Sequence, residues 1–283
     1  MRIASYTLPN GTTSYGAIDG THVRDAGDDL RRRYPDLKQF LTGGEAFERL
    51  ADGAAIEIDS VRLLTPVRCP DKIICVGLNY MDHIKETGRE VPQFPSIFTR
   101  FPQSIVGHNE SLIIPSASSH FDFEGELAVI IGKRGRHIPA KGANHYIAGY
   151  TCFNDGSIRD FQRHTSQFWP GKNFDQSGSC GPWLVTADEM GDLANHSITT
   201  RLNGNVMQCS RFSELAIGVA QLIQYISTVC ELSPGDVIAT GTPGGVGAFR
   251  DPKVFMKAGD RVEIEISGIG ILSNIVEPES AVA

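Results

Sequence analysis

Strand-like segments dominate the chain beyond residue 70, and this feature most constrains the fold. Apolar runs of strand length recur there between turn residues, among them "PSIFTRF", "GELAVIIG", "HYIAGYTCFN", "DVIATG" and "DRVEIEISGIGILSNIV". Few segments read as helices, chiefly "RFSELAIGVAQLIQYISTVC", whose apolar surface predicts packing on a sheet. Because strands and helices do not alternate as βαβ units, the pattern predicts a β-rich α+β fold.

A break in the pattern near residues 64–70 divides the chain. Before it come short strands and turns, "RIASY" and "TSYGAID", and an amphipathic helix near "DLKQFLTGGEAFERLADG". Two prolines in "TPVRCP" then precede an apolar strand at residues 73–76. We therefore predict a small N-terminal β-rich domain, residues 1–66, and a larger domain, residues 67–283.

The charge balance narrows the class of partner. The formal net charge is −7, whereas nucleic-acid-binding proteins usually carry a basic face, so we expect no nucleic-acid partner. No apolar run approaches the length of a membrane span, and the N-terminus lacks an apolar signal core, so we expect no membrane association. The six cysteines show no zinc-type spacing, which predicts reduced thiols in a cytoplasmic protein.

Three acidic residues stand at alternate positions of a predicted strand. The segment "FDFEGELAVIIG" places Asp122, Glu124 and Glu126 on one face, because strand side chains alternate between two faces. Like charges this close repel, and partial burial strengthens the repulsion. Two interpretations are open: a cation lies between the carboxylates, or the strand has a solvated face at one end.

A second segment strengthens the cation interpretation. The apolar strand in "YTCFNDGSIRDFQ" ends at Asp155, where a carboxylate can project into a pocket, although a turn or capping role also fits. Glu124, Glu126 and Asp155 would form an all-oxygen set that suits Mg²⁺ or Mn²⁺. Lys172 lies between aromatic residues and glycines in "FWPGKNFDQ", which is atypical of a solvated lysine; an ion pair with Asp175 is the alternative.

Seven motifs, in this order, resemble those of the fumarylacetoacetate hydrolase family. They are "GLNYMDHIKE", "FEGELAVIIGK", "YTCFNDGSIRDFQ", "GKNFD" with "CGPW", "LNGNVMQ", "GDVIATGTPGGVG" and "VEIEISGIGILSN", spanning about residues 72–276. The resemblance implies a catalytic domain with a mixed β-roll, a homodimer, and one Mg²⁺ or Mn²⁺ per subunit. It assigns the metal to Glu124, Glu126 and Asp155, the trio that the strand pattern indicates, and leaves Asp122 as a flanking residue.

The resemblance also implies roles for residues around the metal. Lys172 would add positive charge beside a substrate enolate. Arg159 and Gln162 match polar site positions of the family and would contact the substrate. Thr242, in "ATGTPGGVG", would offer hydroxyl and backbone donors to a substrate carboxylate; a plain tight turn is the alternative.

A histidine and a glutamate in "NYMDHIKETG" are the candidate proton-transfer pair. His83 and Glu86 are three residues apart on a predicted short helix and share a face, so Glu86 can orient the imidazole. The resemblance implies that this segment is a lid and that His83 activates a water molecule as a general base. The alternative is a surface pair without a catalytic role.

The resemblance implies a function as well as a site. Family substrates resemble acylpyruvates, so we expect a hydrolase that cleaves a carbon–carbon bond in such a diketo acid during the breakdown of aromatic compounds. The alternatives are decarboxylation of oxaloacetate, isomerisation or hydration of a related dienoate, and a non-catalytic paralogue that binds 2-oxo acids. Arg100, in "FTRFPQS", replaces a lysine of many members. Its planar fork favours a carboxylate, so we expect Arg100 to bind a distal carboxylate, as in fumarylpyruvate or maleylpyruvate.

Overall fold

The computed structural model describes residues 1–280, and strands predominate in it. The strands are β1 (Arg2–Thr7), β2 (Thr13–Asp19), β3 (His22–Asp25), β4 (Ala55–Glu57), β5 (Arg62–Leu63), β6 (Ile73–Gly77), β7 (Ser96–Arg100), β8 (Ile105–Val106), β9 (Leu112–Ile114), β10 (Phe121–Asp122), β11 (Gly125–Ile131), β12 (Ile147–Asn154), β13 (Ser157–Ile158), β14 (Gly178–Thr186), β15 (Ser197–Leu202), β16 (Asn205–Arg211), β17 (Val237–Ala239), β18 (Arg261–Ile266) and β19 (Gly270–Pro278).

The helices are short. The α-helices are α1 (Gly27–Arg33), α2 (Leu37–Gly43), α3 (Met81–Glu86), α4 (Arg159–Gln162), α5 (Trp169–Lys172), α6 (Ala187–Met190) and α7 (Val219–Val229). The 3₁₀-helices are Phe47–Leu50, Ile58–Ser60, Pro102–Ser104, Ala140–Tyr146, Leu193–Asn195, Phe212–Glu214 and Gly247–Phe249. Across residues 1–280, no helix combines the length and the apolar character that crossing a bilayer would take. The predicted β-rich α+β class is confirmed.

The strands form a large mixed sheet, a five-stranded sheet and a two-stranded sheet. The twelve-stranded sheet runs β4-β3-β2-β1-β14-β12-β11-β17-β6-β7, with β5 on β1 and β8 on β14. Its pairs are antiparallel except β17 with β6 and β8 with β14. The five-stranded sheet runs β16-β15-β18-β19-β9, and β10 pairs with β13. This arrangement gives the mixed β architecture that the motifs predict.

The main apolar core joins the two larger sheets. Leu127, Val129 and Ile131 of β11 belong to one buried cluster with Ile198 of β15 and Leu222 of α7. Every residue of β11 is buried, so this strand lies at the centre of the molecule. The helix α7, as its apolar surface predicts, packs on the sheets. The start of β11, where two acidic residues lie, is therefore a rigid and largely dry part of the fold.

The N-terminal segment extends the large sheet. Strand β1 pairs with β14 through Arg2 opposite Val185 and Ile3 opposite Leu184. A second apolar cluster contains Ile3 together with Leu184 and Ile130 of the larger segment. The two segments therefore share one sheet and one apolar cluster, while the division into residues 1–66 and 67–283 stays a prediction.

A buried carboxylate organises the N-terminal segment. Asp25 accepts hydrogen bonds from Tyr6 Oη at 2.6 Å, from Ser14 Oγ at 2.6 Å and from the Gly27 N–H at 2.8 Å. The guanidinium of Arg31 completes its contacts. Burial alone would raise the pKa of Asp25, but these hydrogen bonds and the charge of Arg31 together lower it. The ionised carboxylate therefore stabilises the folded state.

Replacing this carboxylate should destabilise the protein in a pH-dependent way. We expect Asp25→Asn to lower the free energy of unfolding at neutral pH by about 2–4 kcal/mol, measured by urea unfolding, because Arg31 loses its buried partner. The folded pKa lies below the unfolded value, so the stabilisation is present above the unfolded pKa and is lost as the pH falls through the folded pKa. Asp19→Asn, at an exposed ion pair with Arg24, is the matched control and should cost less than about 1 kcal/mol. If the two proteins differed as much in free energy of unfolding in strong acid as at neutral pH, this account would be contradicted.

Candidate metal centre and active site

Two antiparallel strands bring three carboxylates together. Gly125, at the start of β11, lies opposite Asn154, at the end of β12. The Asp155 N–H donates to the carbonyl of Glu124 at 2.9 Å, which fixes the two acidic residues side by side. Glu124, Glu126 and Asp155 are buried, and one carboxylate oxygen from each lies within 4.8 Å of the others. The structure therefore brings the three predicted ligands into one cluster.

The glycine between the two glutamates is required by the fold. A Cβ atom at Gly125 would lie 2.0 Å from Thr200 Oγ1 on the five-stranded sheet. A side chain at this position would push β11 away from β15 and displace both glutamates. The spacing Glu–Gly–Glu thus serves the packing of the sheets as well as the acidic cluster.

Three buried cations compensate two of the three carboxylates. The ammonium of Lys172 lies 2.6 Å from Glu124 Oε2 and 2.6 Å from Asp155 Oδ2. The other oxygen of Glu124 accepts from Arg159 Nη1 at 2.6 Å. The other oxygen of Asp155 accepts from Arg100 Nη1 at 2.6 Å. Burial alone would raise the pKa of Glu124, but the charges of Lys172 and Arg159 outweigh burial and lower it.

The third carboxylate has no such compensation. Across residues 1–280, the contact that satisfies Glu126 is a hydrogen bond from the Gly241 N–H to Oε2 at 2.8 Å, and no ion pair involves this residue. Burial raises the pKa of Glu126 well above its ordinary value, and the charges of Asp155 and Glu124 raise it further. A buried carboxylate repelled by two others is the arrangement that a divalent cation would stabilise.

The donor set fits a hard divalent cation. The cluster offers carboxylate oxygens, the ligand type preferred by Mg²⁺ and Mn²⁺. Asp122 lies outside the cluster and has its own partners: Arg159 Nε at 2.7 Å and the N–H groups of Gly247 and Ala248 at 2.8 and 2.9 Å. Asp122 therefore holds Arg159 in place, consistent with the flanking role that we expected.

Contrary to our expectation, the structure does not place Arg100 at the cavity where a substrate would bind. Its side chain is fully buried, and it does not line the cavity beside the carboxylates. Besides Asp155, the guanidinium donates to the Gly156 carbonyl at 2.8 Å and to Ser177 Oγ at 2.7 Å. Strand β7 directs this side chain to Asp155 and away from the cavity, so a distal substrate carboxylate cannot reach it. The fork of Arg100 orients a predicted metal ligand instead.

The His–Glu pair has the predicted contact. On α3, His83 Nδ1 lies 2.8 Å from Glu86 Oε2, and the Gly245 N–H donates to Glu86 Oε1 at 3.0 Å. Burial alone would raise the pKa of Glu86, but the hydrogen bonds from His83 and Gly245 lower it, so the carboxylate is ionised at neutral pH. An ionised carboxylate accepts a hydrogen bond from Nδ1–H, which leaves Nε2 of His83 free to exchange a proton with a substrate.

A cavity of about 350 Å³ connects the pair with the carboxylates. Its wall contains seven of the residues singled out in the sequence: His83, Glu124, Glu126, Arg159, Gln162, Lys172 and Thr242. Gln162 accepts a hydrogen bond from Arg159 Nη1 at 3.0 Å. The cavity therefore combines a proton-transferring group, an acidic cluster and cationic donors.

Thr242 reaches the cavity, but its hydroxyl is already used. Thr242 Oγ1 donates to the Gly125 carbonyl at 2.9 Å and accepts from Gln208 Nε2 at 2.8 Å. The expectation that this hydroxyl donates to a substrate carboxylate is therefore wrong for this structure. Its backbone N–H remains as the donor that the glycine-rich loop can present.

Among the lining residues that sequence reasoning missed are three aromatic and two arginine side chains: Phe98, Phe168, Phe249, Arg89 and Arg163. These residues come from β7, from loops and from helix ends, so no single sequence motif contains them. One signal was available for Arg163. It follows Arg159 by four residues, and this spacing places both side chains on one face of a helical turn.

Comparison with known proteins places the chain in a family. Residues 72–277 match the model of the fumarylacetoacetate (FAA) hydrolase C-terminal domain. The chain therefore belongs to the fumarylacetoacetate hydrolase family, as its motifs indicate, and this family is enzymatic.

Its relatives carry different activities. The chain is 44% identical over 247 residues to the rat mitochondrial oxaloacetate tautomerase Fahd2a, covering 85% of this chain and 79% of that one. It is 34% identical to a 5-carboxymethyl-2-hydroxymuconate delta-isomerase from Mycobacterium smegmatis, with a TM-score of 0.82 over 99% and 100% of the two chains. A maleylpyruvate hydrolase from Sphingobium sp. SYK-6, solved with manganese(II) and pyruvate, is 25% identical with a TM-score of 0.81 over 99% and 100%.

The uncompensated carboxylate gives a test of the metal centre. We expect Glu126→Gln to weaken Mn²⁺ binding, measured by isothermal titration calorimetry, by at least about 100-fold. Removing a metal ligand should weaken binding more than removing a residue that only orients a ligand, which costs about 10- to 100-fold. The metal-free variant should unfold at the same or a higher temperature, because a raised pKa means that the ionised carboxylate destabilises the folded state at neutral pH. Glu265→Gln, at a partly exposed ion pair with Arg201, is the control and should change neither quantity. Unchanged Mn²⁺ affinity in Glu126→Gln would show that the cluster is not the metal site.

The buried arginine gives a separate test. We expect Arg100→Lys to weaken Mn²⁺ binding about 10- to 100-fold, because an ammonium cannot reproduce the fork that orients Asp155. The ratio of kcat/KM between dicarboxylic and monocarboxylic substrates should stay constant. Arg62→Lys, at an exposed ion pair with Glu110, serves as the matched control. A loss confined to dicarboxylic substrates would instead support the substrate contact that the structure argues against.

Proposed function

We propose that this chain is a divalent-metal-dependent enzyme that interconverts the enol and keto forms of a 2-oxo dicarboxylic acid of the oxaloacetate type. One observation carries the proposal: His83, oriented by Glu86, lines the same cavity as the acidic cluster. The relative that is 44% identical is named an oxaloacetate tautomerase, which favours this reaction among those of the family. Mg²⁺ and Mn²⁺ both suit the ligand set.

The reaction moves one proton between carbon and oxygen. A divalent cation held by Glu124, Glu126 and Asp155 would stabilise the negative charge that develops on the 2-oxo oxygen. His83 Nε2 takes the proton from the carbon next to the oxo group, and the ionised Glu86 stabilises the imidazolium. His83 then returns the proton to the oxygen, and the reverse reaction follows the same steps backwards. The reaction uses no water and breaks no carbon–carbon bond.

Arg159 is preorganised to orient the substrate. Its Nε and Nη1 atoms are held by Asp122 and Glu124 at 2.7 and 2.6 Å. Within the described part of the chain its buried Nη2 atom has no hydrogen-bond partner. A buried donor without a partner costs free energy, which a carboxylate or oxo oxygen of the substrate would recover. This buried donor without a partner supports the predicted role of Arg159 in substrate binding.

Hydrolysis of an acylpyruvate, the activity expected from the motifs, is the second candidate. The same pair favours it, because His83 with Glu86 behind it can also deprotonate a water molecule. The structural relative that hydrolyses maleylpyruvate adds support. Here water would attack the distal carbonyl and the carbon–carbon bond would break to leave pyruvate and an acid. A role in the breakdown of aromatic compounds depends on this second reaction.

Two further expectations stay predictions. The homodimer is testable by light scattering, and Phe101 with Trp169, an exposed aromatic pair 5.8 Å apart, offers apolar surface for it. The cytoplasmic location is the second, while the relative named above is mitochondrial.

Removing the imidazole separates the candidate reactions. We expect His83→Ala to lower kcat for the enol–keto conversion of oxaloacetate, followed by ultraviolet absorbance of the enol, by about 10²- to 10⁴-fold, because a general base is lost. Mn²⁺ affinity should not change. His145→Ala, at an exposed histidine, is the control. Release of pyruvate from acetylpyruvate, lost in the same variant, would establish hydrolysis. Undiminished enol–keto conversion in His83→Ala would refute the assigned role.

A further inference from the structure

Two arginines at the mouth of the cavity are not used by the acidic cluster. Arg89 follows α3, Arg163 follows α4, and both line the cavity with exposed side chains. The interior cations Arg100, Arg159 and Lys172 are all paired with carboxylates. Of the ion pairs formed between residues 1 and 280, none involves Arg89 or Arg163. The mouth therefore carries positive charge that no carboxylate of the described residues pairs with.

Arg163 is held in position by the fold. Its N–H donates to the Asp160 carbonyl at 3.1 Å and so closes the short helix α4. Arg159, Gln162 and Arg163 stand at positions i, i+3 and i+4 of that turn and line the same cavity. The element that presents Arg159 to the reacting end of a substrate thus presents Arg163 nearer the mouth.

An aromatic ring links Arg163 to the proton-transfer pair. The guanidinium carbon of Arg163 lies 6.0 Å from the ring centroid of Phe249, within range of a cation–π contact. The ring of Phe249 lies edge-on to His83, with their centroids 5.9 Å apart. Arg163 therefore lies one aromatic ring away from the group that would act on the substrate. The contact with Phe249 also restricts the guanidinium, which lowers the entropy cost of binding an anion.

The buried charges around the proposed metal ligands can balance the charge of one substrate carboxylate. The buried acidic residues there are Asp122, Glu124, Glu126 and Asp155, and the buried cations are Arg100, Arg159 and Lys172. Four negative charges against three positive charges leave one negative charge, which a divalent cation turns into one positive charge. That charge balances the carboxylate beside the oxo group. A second carboxylate needs another partner, and Arg100 is out of its reach.

We propose that Arg163, with Arg89 at the same mouth, binds the distal carboxylate of the substrate and so selects 2-oxo dicarboxylic acids over monocarboxylic ones. A planar guanidinium binds a carboxylate through two parallel hydrogen bonds, which gives specificity as well as affinity. This inference rests on the proposed function and names the residue that sets its substrate class.

The test compares two substrates in two variants. We expect Arg163→Met to lower kcat/KM for oxaloacetate about 10- to 100-fold, mainly through KM, because a charge-assisted hydrogen bond is lost. For acetylpyruvate, which lacks the distal carboxylate, the change should stay below about 3-fold, the level expected when no charged contact is lost. Arg163→Lys keeps the charge without the fork and should lie between. Arg134→Met, at an exposed ion pair with Glu231, is the matched control and should change neither substrate.

Binding measurements separate this inference from the proposed reaction. In Mn²⁺-loaded His83→Ala, calorimetry gives the dissociation constants of oxaloacetate and acetylpyruvate without turnover, alone and combined with Arg163→Met. Selective weakening of oxaloacetate in the double variant supports the inference even if the wild type proves not to be a tautomerase. Equal weakening of both acids, or no weakening of either, overturns the inference while leaving the assigned reaction intact. Failure of both acids to bind would overturn both proposals.

Discussion

The burial of four carboxylates at the junction of β10, β11 and β12 is the constraint on which the rest of the site depends. Such a cluster repels itself, and the fold tolerates it only because three buried cations come from distant segments. Arg100 arrives from β7, Arg159 from α4 and Lys172 from α5. The ion pairs therefore fix these elements around the start of β11. Since the compensation falls one charge short, at Glu126, the finished fold keeps an affinity for an additional cation.

Much of the fold class and part of the site could be predicted from the sequence. Strand-length apolar runs indicated a β-rich chain, and the alternation of Glu124 and Glu126 placed them on one face. Sequence could not show that β1 pairs with β14, because pairing between strands far apart in the chain leaves no local pattern. Nor could it give the register that sets Gly125 opposite Asn154 and so brings Asp155 to the glutamates.

The errors have a common physical origin. An arginine near a predicted pocket was expected to contact the substrate, but whether Arg100 faces the cavity or Asp155 depends on which side of β7 lies against the cluster. The hydroxyl of Thr242 was expected to face the substrate, but it donates its hydrogen bond to the carbonyl of Gly125. In both cases a polar group found a protein partner first. Conversely, Arg163 was missed because an exposed arginine in a polar segment looks like ordinary surface.

The pairing of β1 with β14 affects the tendency of the catalytic segment to self-associate. Without its first 66 residues, the family-typical part of the chain would leave the end of β14, at Leu184 and Val185, as a sheet edge without its partner strand β1. Leu184 of this strand and Ile130 of β11, which share an apolar cluster with Ile3, would at the same time lose that cover. Exposed edges of this kind recruit strands from other chains. The N-terminal strands thus protect the catalytic segment from self-association in the full chain, a role independent of catalysis.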